Sequence, residues 1–261
     1  MTGPGVVLGT RVGPFGACVD AELARRYAPV AIVTQIWEAQ NAARTVAVPA
    51  WLQQEAAGGV HGEHDVALHR PIVPGEPLRT WVEAHGARPA GRNALVTLRY
   101  TTVDEAGDTV AEQWWTTVYL GVTCDPTGDP APSHTLEDAA RARPVGSAEM
   151  AIDEGMARRY AEASGDWSAH HFDVEAARRS GFDRPFLHGL CTMALCARAV
   201  VEQVAGGDPE RVRRVAVRFA SPVPLGETLR VRLYDAGSGC YGFEAECAGA
   251  TVITHGLAEL R

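Results

Sequence analysis

Apolar residues at helical spacing predict three helices in the C-terminal half of the chain. The first covers Asp153–Ser164 and is ended by Gly165, and the second covers about Asp173–Gly181. The third covers Leu190–Val204, which is apolar around most of its circumference and stops at two consecutive glycines. Because such a helix has no polar face to present to water, we expect it to be buried.

Two short segments that lie 151 positions apart resemble each other. Pro71–Arg79 reads PIVPGEPLR and Pro222–Arg230 reads PVPLGETLR, so Pro, Gly, Glu, Leu and Arg are in register. After each copy, alternating apolar residues predict a strand and then a hairpin, at 94–120 in the first half and at 240–260 in the second. Helical sequence precedes each copy. The repeat therefore predicts an α+β fold in which each half wraps antiparallel strands around one buried helix.

The stretch 123–145 is rich in Pro, Gly, Asp and Ser and has no sustained periodicity, which is typical of a linker. We therefore expect an N-terminal domain at 1–122, a linker at 123–145 and a C-terminal domain at 146–261. Two copies of so long a unit exclude a solenoid.

Composition removes several kinds of chemistry. All 24 basic residues are arginine, so the chain lacks the lysine amine that Schiff-base enzymes, pyridoxal phosphate enzymes and Walker-type nucleotide sites require. The formal net charge of -8 disfavours nucleic acid, and no run approaches the roughly 20 apolar residues of a membrane-spanning helix. We therefore expect neither nucleic acid nor a membrane as a partner.

The six cysteines are scattered without a CxxC pair, and the N-terminus lacks the pattern of a signal peptide. Both observations favour a cytoplasmic protein with reduced thiols. Two alternatives remain open: a disulfide between Cys240 and Cys247 in a hairpin, and a redox pair formed by Cys191 and Cys196.

A candidate catalytic pair lies between the first two predicted helices, where Ser164–His171 reads SGDWSAHH. Asp166 is expected to be ionised at neutral pH, and His171 can accept or donate a proton there, so together they can activate a water molecule. The spacing alone also fits an aspartate that caps a helix and a histidine on the surface.

A second candidate element is the segment Arg184–Leu190, RPFLHGL, which leads into the predicted buried helix. Gly189 allows a carbonyl oxygen to approach the helix start, where the first backbone N–H groups are unpaired. Those amides and the helix dipole can stabilise negative charge on the oxygen. Water activation beside such a site indicates chemistry on an activated acyl group.

Together, the two segments resemble the hydratase motif of MaoC-like dehydratases and (R)-specific enoyl-CoA hydratases, the hydratase 2 type. The resemblance covers Ile152–Leu260, and the HRPIVPGE segment at 69–76 is similar to the N-terminal half of the two-domain type. It implies a double hot-dog fold and reversible syn addition of water to a trans-2-enoyl thioester, giving the (3R)-3-hydroxyacyl thioester in fatty acid or polyketide metabolism. It implies no metal or redox cofactor.

The resemblance also assigns residues and partners. The expected site residues are Asp166, His171 and Gly189 as catalytic groups, and Ser168, His188 and Arg184 as substrate-binding groups. The expected partner is an acyl-CoA or acyl-carrier-protein thioester, and a monomer and a homodimer are both open.

The chain departs from the family pattern at Ser168-Ala169, where the family has Asn-Pro, so a hydroxyl replaces an amide that helps to fix the loop. His170 is an alternative to His171, although the motif spacing selects His171. These departures leave room for an unusual substrate or for an altered reaction.

The first half has no Asp-His pair, because Phe15 and Asp20 stand 151 positions before the catalytic pair. By the resemblance, that half shapes the acyl pocket. Four tryptophans are candidates either for the lining or for the core: Trp51, Trp81, Trp114 and Trp115.

Several weaker interpretations stay open. One set of residues could be zinc ligands or simply alternating positions of a strand: His61, His64 and His69. A second set could contact the phosphates of coenzyme A or form a solvated strand face: Arg213, Arg214 and Arg218. For the whole protein, the alternatives to a hydratase are an acyl thioesterase and a non-catalytic acyl-thioester-binding protein.

Overall fold

The computed structural model describes residues 8–261, which form thirteen strands and seven α-helices. The strands are β1 (Arg11–Ala17), β2 (Gly59–Leu68), β3 (Leu78–Ala90), β4 (Asn93–Val103), β5 (Thr109–Tyr119), β6 (Thr127–Gly128), β7 (Pro144–Ala151), β8 (Phe186–Leu187), β9 (Val212–Phe219), β10 (Val223–Pro224), β11 (Thr228–Gly237), β12 (Cys240–Cys247) and β13 (Ala250–Leu260). The helices are α1 (Ala21–Tyr27), α2 (Trp37–Ala47), α3 (Ala50–Glu55), α4 (Asp138–Arg141), α5 (Met156–Ser164), α6 (Val174–Arg179) and α7 (Gly189–Gln203).

Ten strands form one continuous antiparallel sheet in the order β1-β3-β4-β5-β2-β9-β13-β12-β11-β7, and β6 pairs with β3 beside this path. The order β1-β3-β4-β5-β2 in the first half recurs in the second half as β7-β11-β12-β13-β9. The two halves are therefore equivalent in topology, and they meet where β2 pairs with β9. The short strands β8 and β10 form a separate ribbon.

Each half places its longest helix against its own part of the sheet. Helix α2 packs on β1 and β3, and α7 packs on β7, β9 and β11. The leucines that match in the sequence repeat, Leu78 and Leu229, both lie at the start of equivalent strands. The predicted α+β double hot-dog architecture is confirmed.

The helices of the second half begin and end close to their predicted bounds. Ten residues of α7 are buried, as its apolar circumference predicts. Helix α6 starts after Asp173, whose side chain accepts a hydrogen bond of 2.7 Å from the backbone N–H of Ala176. Helix α5 ends at Gly165, which has the left-handed φ of 75° that favours glycine.

The start of α5 differs from the prediction. Asp153 does not cap the helix directly, because α5 begins at Met156. The carboxylate of Asp153 instead accepts a hydrogen bond from the backbone N–H of Gly155 and forms an ion pair with Arg159. Asp153 therefore closes a turn that precedes the helix.

The stretch predicted as a linker, 123–145, contains β6, α4 and the first two residues of β7. Its first part pairs with β3 through β6, and its later part packs on the second half of the sheet. There the His134 Nδ1–H donates to the carbonyl of His255 over 2.9 Å, and the Leu136 side chain covers Gly242. The division of the chain into two domains at this stretch stays a prediction.

All six cysteines are free thiols in the structure. Cys240 and Cys247 lie at opposite ends of β12, where Cys240 pairs with Glu259 and Cys247 with Ala250. The possible disulfide between them is therefore wrong. In the described range, 8–261, no helix is both long and apolar enough to cross a bilayer.

Ion pairs connect the two halves where β2 meets β9. Asp65 on β2 is only 2% exposed, and the guanidinium of Arg214 on β9 holds both of its oxygens at 2.7 to 3.2 Å. Glu63 pairs with Arg218 over 2.8 Å along the same junction. Together with Arg213, which pairs with Glu259, all three arginines are engaged by carboxylates, so contacts to coenzyme A phosphates are not supported for them.

We expect Arg214→Met to lower the free energy of unfolding by about 3 kcal/mol, because it leaves the buried carboxylate of Asp65 without a counterion. Urea unfolding followed by circular dichroism measures this loss. Arg213→Met is the matched control, since Arg213 is 52% exposed and its pair with Glu259 is worth less than about 1 kcal/mol. Equal losses of unfolding free energy in the two variants would show that the buried pair of Asp65 and Arg214 contributes no more to stability than an exposed ion pair.

Candidate active site

The structure brings Asp166 and His171 together, as the sequence segment SGDWSAHH predicts. A carboxylate oxygen of Asp166, a ring nitrogen of His171 and a ring nitrogen of His188 all lie within 4.8 Å of one another. The chain leaves α5 at Gly165, and a single 3-10 turn at Ala169–His171 then reverses its direction. That reversal turns the imidazole of His171 back toward the carboxylate.

Ser168 fixes the orientation of the Asp166 carboxylate. Its backbone N–H donates to Asp166 Oδ1 over 3.1 Å, and its hydroxyl donates to the same oxygen over 2.6 Å. The second oxygen, Oδ2, is left for other partners. The Ser168 hydroxyl, at the position where the family has asparagine, therefore donates a hydrogen bond to Asp166 in this structure.

His171 is held as a neutral hydrogen-bond acceptor. Its Nδ1–H donates to the carbonyl of Phe186 over 2.9 Å, which places the lone pair on Nε2. The residue is 5% exposed, and burial, together with the neighbouring rings of His188 and His170, lowers the pKa of His171 to about 2. At neutral pH this ring carries no charge.

His170 neighbours His171, with 4.2 Å between ring centroids, but packs on a different partner. The ring of His170 stacks on Phe186 with an interplanar angle of 13° and a centroid separation of 5.3 Å. His171, and not His170, belongs to the cluster with Asp166 and His188. The geometry therefore agrees with the motif spacing.

His188 supports the loop that carries Asp166. Its Nε2–H donates to the backbone carbonyl of Asp166 over 2.9 Å, and its ring stacks on His171 at 3.7 Å between centroids. Burial lowers the pKa of His188. The structure thus places His188, which the sequence assigns to the substrate, in contact with both members of the candidate pair.

Gly189 is the first residue of α7. His188 precedes it as the cap residue without a side-chain hydrogen bond to the helix, so the first backbone N–H groups keep no intrahelical acceptor. A β-carbon at position 189 would lie 3.2 Å from the Phe219 ring. Glycine therefore keeps this amide open between the helix and β9.

A cavity of about 350 Å³ opens beside His171. Phe172, Arg158 and Arg184 also line it. Arg184 is 56% exposed, and its guanidinium lies 3.6 Å from Glu227, so it stands at the rim. The volume lies within the range of small-ligand sites.

A second depression, of about 520 Å³, contains none of the predicted site residues. Four arginines line it, and each forms an ion pair with a carboxylate of its own surroundings: Arg25, Arg26, Arg159 and Arg198. Of these two depressions, the one beside His171 contains a member of the candidate pair, so it is the better candidate for substrate.

Two residues of this region were missed by the sequence reasoning. Arg158 lies on the wall of the cavity beside His171, and its guanidinium lies 5.9 Å from the Trp167 ring. Tyr160 is fully buried with its ring 5.0 Å from His188, and its hydroxyl has no hydrogen-bond partner among residues 8–261. Both lie on α5, less than two helical turns before Gly165. Their closeness in sequence to the loop that carries Asp166 is the signal that could have identified them.

The cluster of Asp166, His171 and His188 is the group of potential metal ligands found in the described range. The two imidazole rings are stacked with an interplanar angle of 25°. A metal at about 2.0 Å from both nitrogens would need to lie in both ring planes, which stacked rings do not share. The residues as placed do not fit joint coordination of a zinc ion.

Comparison with known proteins places the chain in a family. The MaoC like domain matches residues 137–256. The chain is 33% identical over 199 residues to 3-hydroxyacyl-thioester dehydratase Y of Mycobacterium tuberculosis, covering 73% of this chain and 67% of that protein. It is 31% identical over 184 residues to peroxisomal multifunctional enzyme type 2 of Drosophila melanogaster, covering 69% of this chain but only 30% of that protein.

Similarity to solved structures supports the same family assignment. A MaoC-like dehydratase from Phytophthora capsici superposes with a TM-score of 0.73 at 31% identity, covering 78% of this chain and 72% of that one. A Mycobacterium tuberculosis protein described as a double hot-dog superposes with a TM-score of 0.58 over 97% of this chain and 95% of that one, at 17% identity, and shows the fold alone. The chain belongs to the MaoC-like dehydratase family, a family of hydratases and dehydratases.

We expect Ser168→Ala to lower kcat/KM about tenfold or more, because the carboxylate loses a hydroxyl hydrogen bond that holds it in place. Steady-state kinetics with an enoyl thioester measures the loss. Ser168→Thr is the matched control, because it keeps the hydroxyl and should recover most of the rate. A Ser168→Ala enzyme with unchanged kinetics would show that this bond does not position Asp166.

Buried neutral histidines also predict a dependence of stability on pH. The pKa of His171 is about 2 in the folded state and near 6.5 in the unfolded chain, so below pH 6.5 the unfolded chain binds a proton that the folded state does not. The free energy of unfolding should therefore fall as the pH decreases through 6.5, with a slope for this residue that approaches about 1.4 kcal/mol per pH unit below about pH 5.5.

The His171→Gln variant should lose this share of the slope. Urea unfolding of both proteins between pH 7 and pH 5 gives the comparison, with circular dichroism at pH 7 to verify that the variant is folded. Parallel slopes would contradict a buried, neutral His171.

Proposed function

We propose that the protein catalyses the reversible hydration of a trans-2-enoyl thioester to the (3R)-3-hydroxyacyl thioester. The observation that carries the proposal is the convergence of the Asp166 carboxylate and the His171 ring within 4.8 Å, beside a cavity of about 350 Å³. The names of the relatives support this reaction class, since one is a 3-hydroxyacyl-thioester dehydratase.

A single water molecule fits between the two groups as a double donor. One hydrogen is directed at the His171 Nε2 lone pair and the other at Asp166 Oδ2, so an oxygen lone pair is free to attack C3 of the enoyl group. Burial disfavours an imidazolium at His171. We therefore assign the proton transfer to Asp166, while His171 holds the water.

The reaction balances in two steps. As the oxygen of water bonds to C3, Asp166 accepts a proton and the electrons of the C2–C3 bond move toward the thioester oxygen. The protonated carboxyl group then returns that proton to C2, and the C=O bond re-forms. Because one carboxyl group serves both steps from one side, the proposed addition is syn.

The Gly189 amide is placed to stabilise the enolate oxygen between these steps. Its N–H lies at the positive end of α7, where charge on the oxygen is favoured, and no cap side chain competes for that end. The half-buried position of Gly189 limits competition from water. The proposed role of α7 is therefore electrostatic as well as structural.

The thioester carrier is proposed to enter beside His171. Arg158 and Arg184 line that cavity together with Glu154. Both arginines are exposed, and Arg184 is 3.6 Å from Glu227, so we assign both guanidinium groups to an anionic phosphate of coenzyme A or of an acyl carrier protein. In this proposal Arg184 contacts the carrier and Ser168 positions Asp166. His188 holds the pair in place through its hydrogen bond to the carbonyl of Asp166 and its stacking on His171.

The first half of the chain is proposed to have a binding role. Phe15 lies on β1, and the carboxylate of Asp20 caps α1 by accepting a hydrogen bond of 2.8 Å from the N–H of Leu23. Phe15 and Asp20 therefore do not form a second catalytic pair equivalent to Asp166 and His171. We also propose that the protein acts in the cytoplasm, which six free thiols favour, while some relatives are peroxisomal.

Asp166→Asn should lower kcat by about a hundredfold or more, because the amide cannot accept the proton from water. Loss of enoyl absorbance with crotonyl-CoA and longer enoyl-CoA substrates measures the rate. Binding of the substrate should be retained. Prompt release of free thiol without hydration would instead identify a thioesterase, and binding with no chemistry in the parent would identify an acyl-binding protein.

Gly189→Pro tests the proposed amide donor. Proline is tolerated at the first position of a helix, and the extended backbone of His188, with ψ 136°, is compatible with a following proline. The variant removes the N–H and should lower kcat by about a hundredfold or more.

Gly189→Ala is the control for this test, because it keeps the N–H but brings a β-carbon against Phe219. It should retain much more activity than Gly189→Pro. Equal loss in both variants would assign the effect to crowding and not to the amide.

A further inference from the structure

A group of polar side chains is buried where the first half of the sheet meets the second. His64 lies on β2 and Gln113 on β5, and both are fully buried. The His64 Nε2–H donates to Gln113 Oε1 over 3.1 Å. His61, at the other end of a bulge in β2, packs edge-on against His64 at 5.3 Å between ring centroids.

Several polar atoms of this group are unsatisfied. Within this group, four buried nitrogens have no hydrogen-bond partner among residues 8–261: His61 Nε2, His64 Nδ1, Gln113 Nε2 and Trp115 Nε1. Leaving one buried polar atom unpaired costs about 1 to 3 kcal/mol, so a cluster of four calls for a polar partner that the chain itself does not supply.

The cluster lies next to the candidate active site. His61 stacks on Trp115 at 3.7 Å with an interplanar angle of 1°, and its ring is 4.7 Å from that of Phe219. Phe219 is the residue that lies against Gly189. One aromatic ring therefore separates His61 from the amide proposed to bind the thioester oxygen.

A row of partly exposed residues links the two places. Trp37, His61, Phe219 and Gly189 are each half-buried, although they lie between the two longest helices and the sheet. The first three form a row of aromatic rings through Trp115, whose ring is 6.4 Å from Trp37. We assign this row as the path of an acyl chain that starts at Gly189 and ends at the polar group.

The polar group suits a hydroxyl better than other oxygen functions. Burial lowers the pKa of His64 to about 4 and lowers that of His61 well below its usual value, so both rings are neutral and offer an acceptor. Gln113 Nε2 and Trp115 Nε1 offer donors. A hydroxyl both donates and accepts, whereas a ketone only accepts and a carboxylate would bring an uncompensated charge.

We propose that His61, His64 and Gln113 form a subsite for a hydroxyl group on the acyl chain, so that the preferred substrates are enoyl thioesters with a hydroxylated chain. The inference rests on the proposed hydratase function and adds the substrate class. It also gives the first half of the chain a specific task in recognition.

The test compares matched substrates. Hydration is measured for trans-2-octenoyl-CoA and for its analogues with a hydroxyl on the sixth, seventh or eighth carbon. At least one hydroxylated substrate should have a kcat/KM about tenfold higher than octenoyl-CoA, because its hydroxyl pairs with buried groups that an alkyl chain leaves unpaired.

The double variant His64→Leu/Gln113→Met removes both partners of one hydrogen bond and should abolish the preference while keeping turnover of octenoyl-CoA. Trp114→Phe is the matched control. It also removes a buried, unpaired N–H, but Trp114 alternates with Trp115 and lies on the opposite face of the sheet, so the preference should persist.

The outcomes separate the two proposals. Turnover of all four thioesters with equal kcat/KM, or a preference that survives in the double variant, would overturn the hydroxyl subsite and leave the hydratase function standing. No hydration of any thioester would overturn the hydratase function and this inference with it. A double variant that unfolds is replaced by His61→Phe, which keeps the ring stack on Trp115 and should reduce the same preference.

Discussion

Two reciprocal hydrogen bonds hold the candidate site together. His171, in the loop after α5, donates to the carbonyl of Phe186, and His188, at the start of α7, donates to the carbonyl of Asp166. Each segment thus offers a histidine to the backbone of the other. Since the N–H of each ring donates to a carbonyl, the other nitrogen of each ring is left as an acceptor. The same two hydrogen bonds fix the loop to the start of α7. The position of the carboxylate, the tautomer of His171 and the distance to the Gly189 amide all depend on this arrangement.

Duplication explains why such a site can form in one half only. The equivalent strand orders give both halves a helix against a curved sheet, and the join between β2 and β9 makes one sheet of them. The buried pair of Asp65 and Arg214 fixes that join across the halves. The proposed chemistry lies at the start of α7 in the second half, and the buried polar group around His64 lies in the first half, on β2 and β5.

Much of the fold follows from local sequence patterns. The apolar run that became α7, the glycine that ends α5 and the repeat that marks β3 and β11 are all short-range signals with a direct physical cause. The bound of α5 at Asp153 was wrong, because an aspartate that accepts from an N–H two residues later closes a turn as readily as it caps a helix. The order of strands and the ion pairs across β2 and β9 depend on contacts between distant residues, which a pattern along one chain does not contain.

The site was partly predictable for the same reason. Asp166, His171 and Gly189 lie in two segments with recognisable spacing, and the structure brings Asp166 and His171 together with His188, which directly precedes Gly189. Ser168 was expected at the substrate, yet its backbone N–H and its hydroxyl both donate to Asp166, and this contact depends on the turn that follows Gly165. Arg158, Tyr160 and the polar group at His61 carry no motif, since their significance comes from burial and from neighbours on other elements.

The stereochemical course of hydration tests the central claim most directly, because in the proposed mechanism Asp166 serves both steps from one side of the substrate. The reaction is run in deuterated water with an enoyl-CoA substrate, and the product is analysed by proton NMR. The account predicts a single diastereomer of (3R) configuration, in which the hydroxyl at C3 and the deuterium at C2 were added to the same face. Deuterium on the opposite face, or a mixture of both diastereomers at early times, would contradict it.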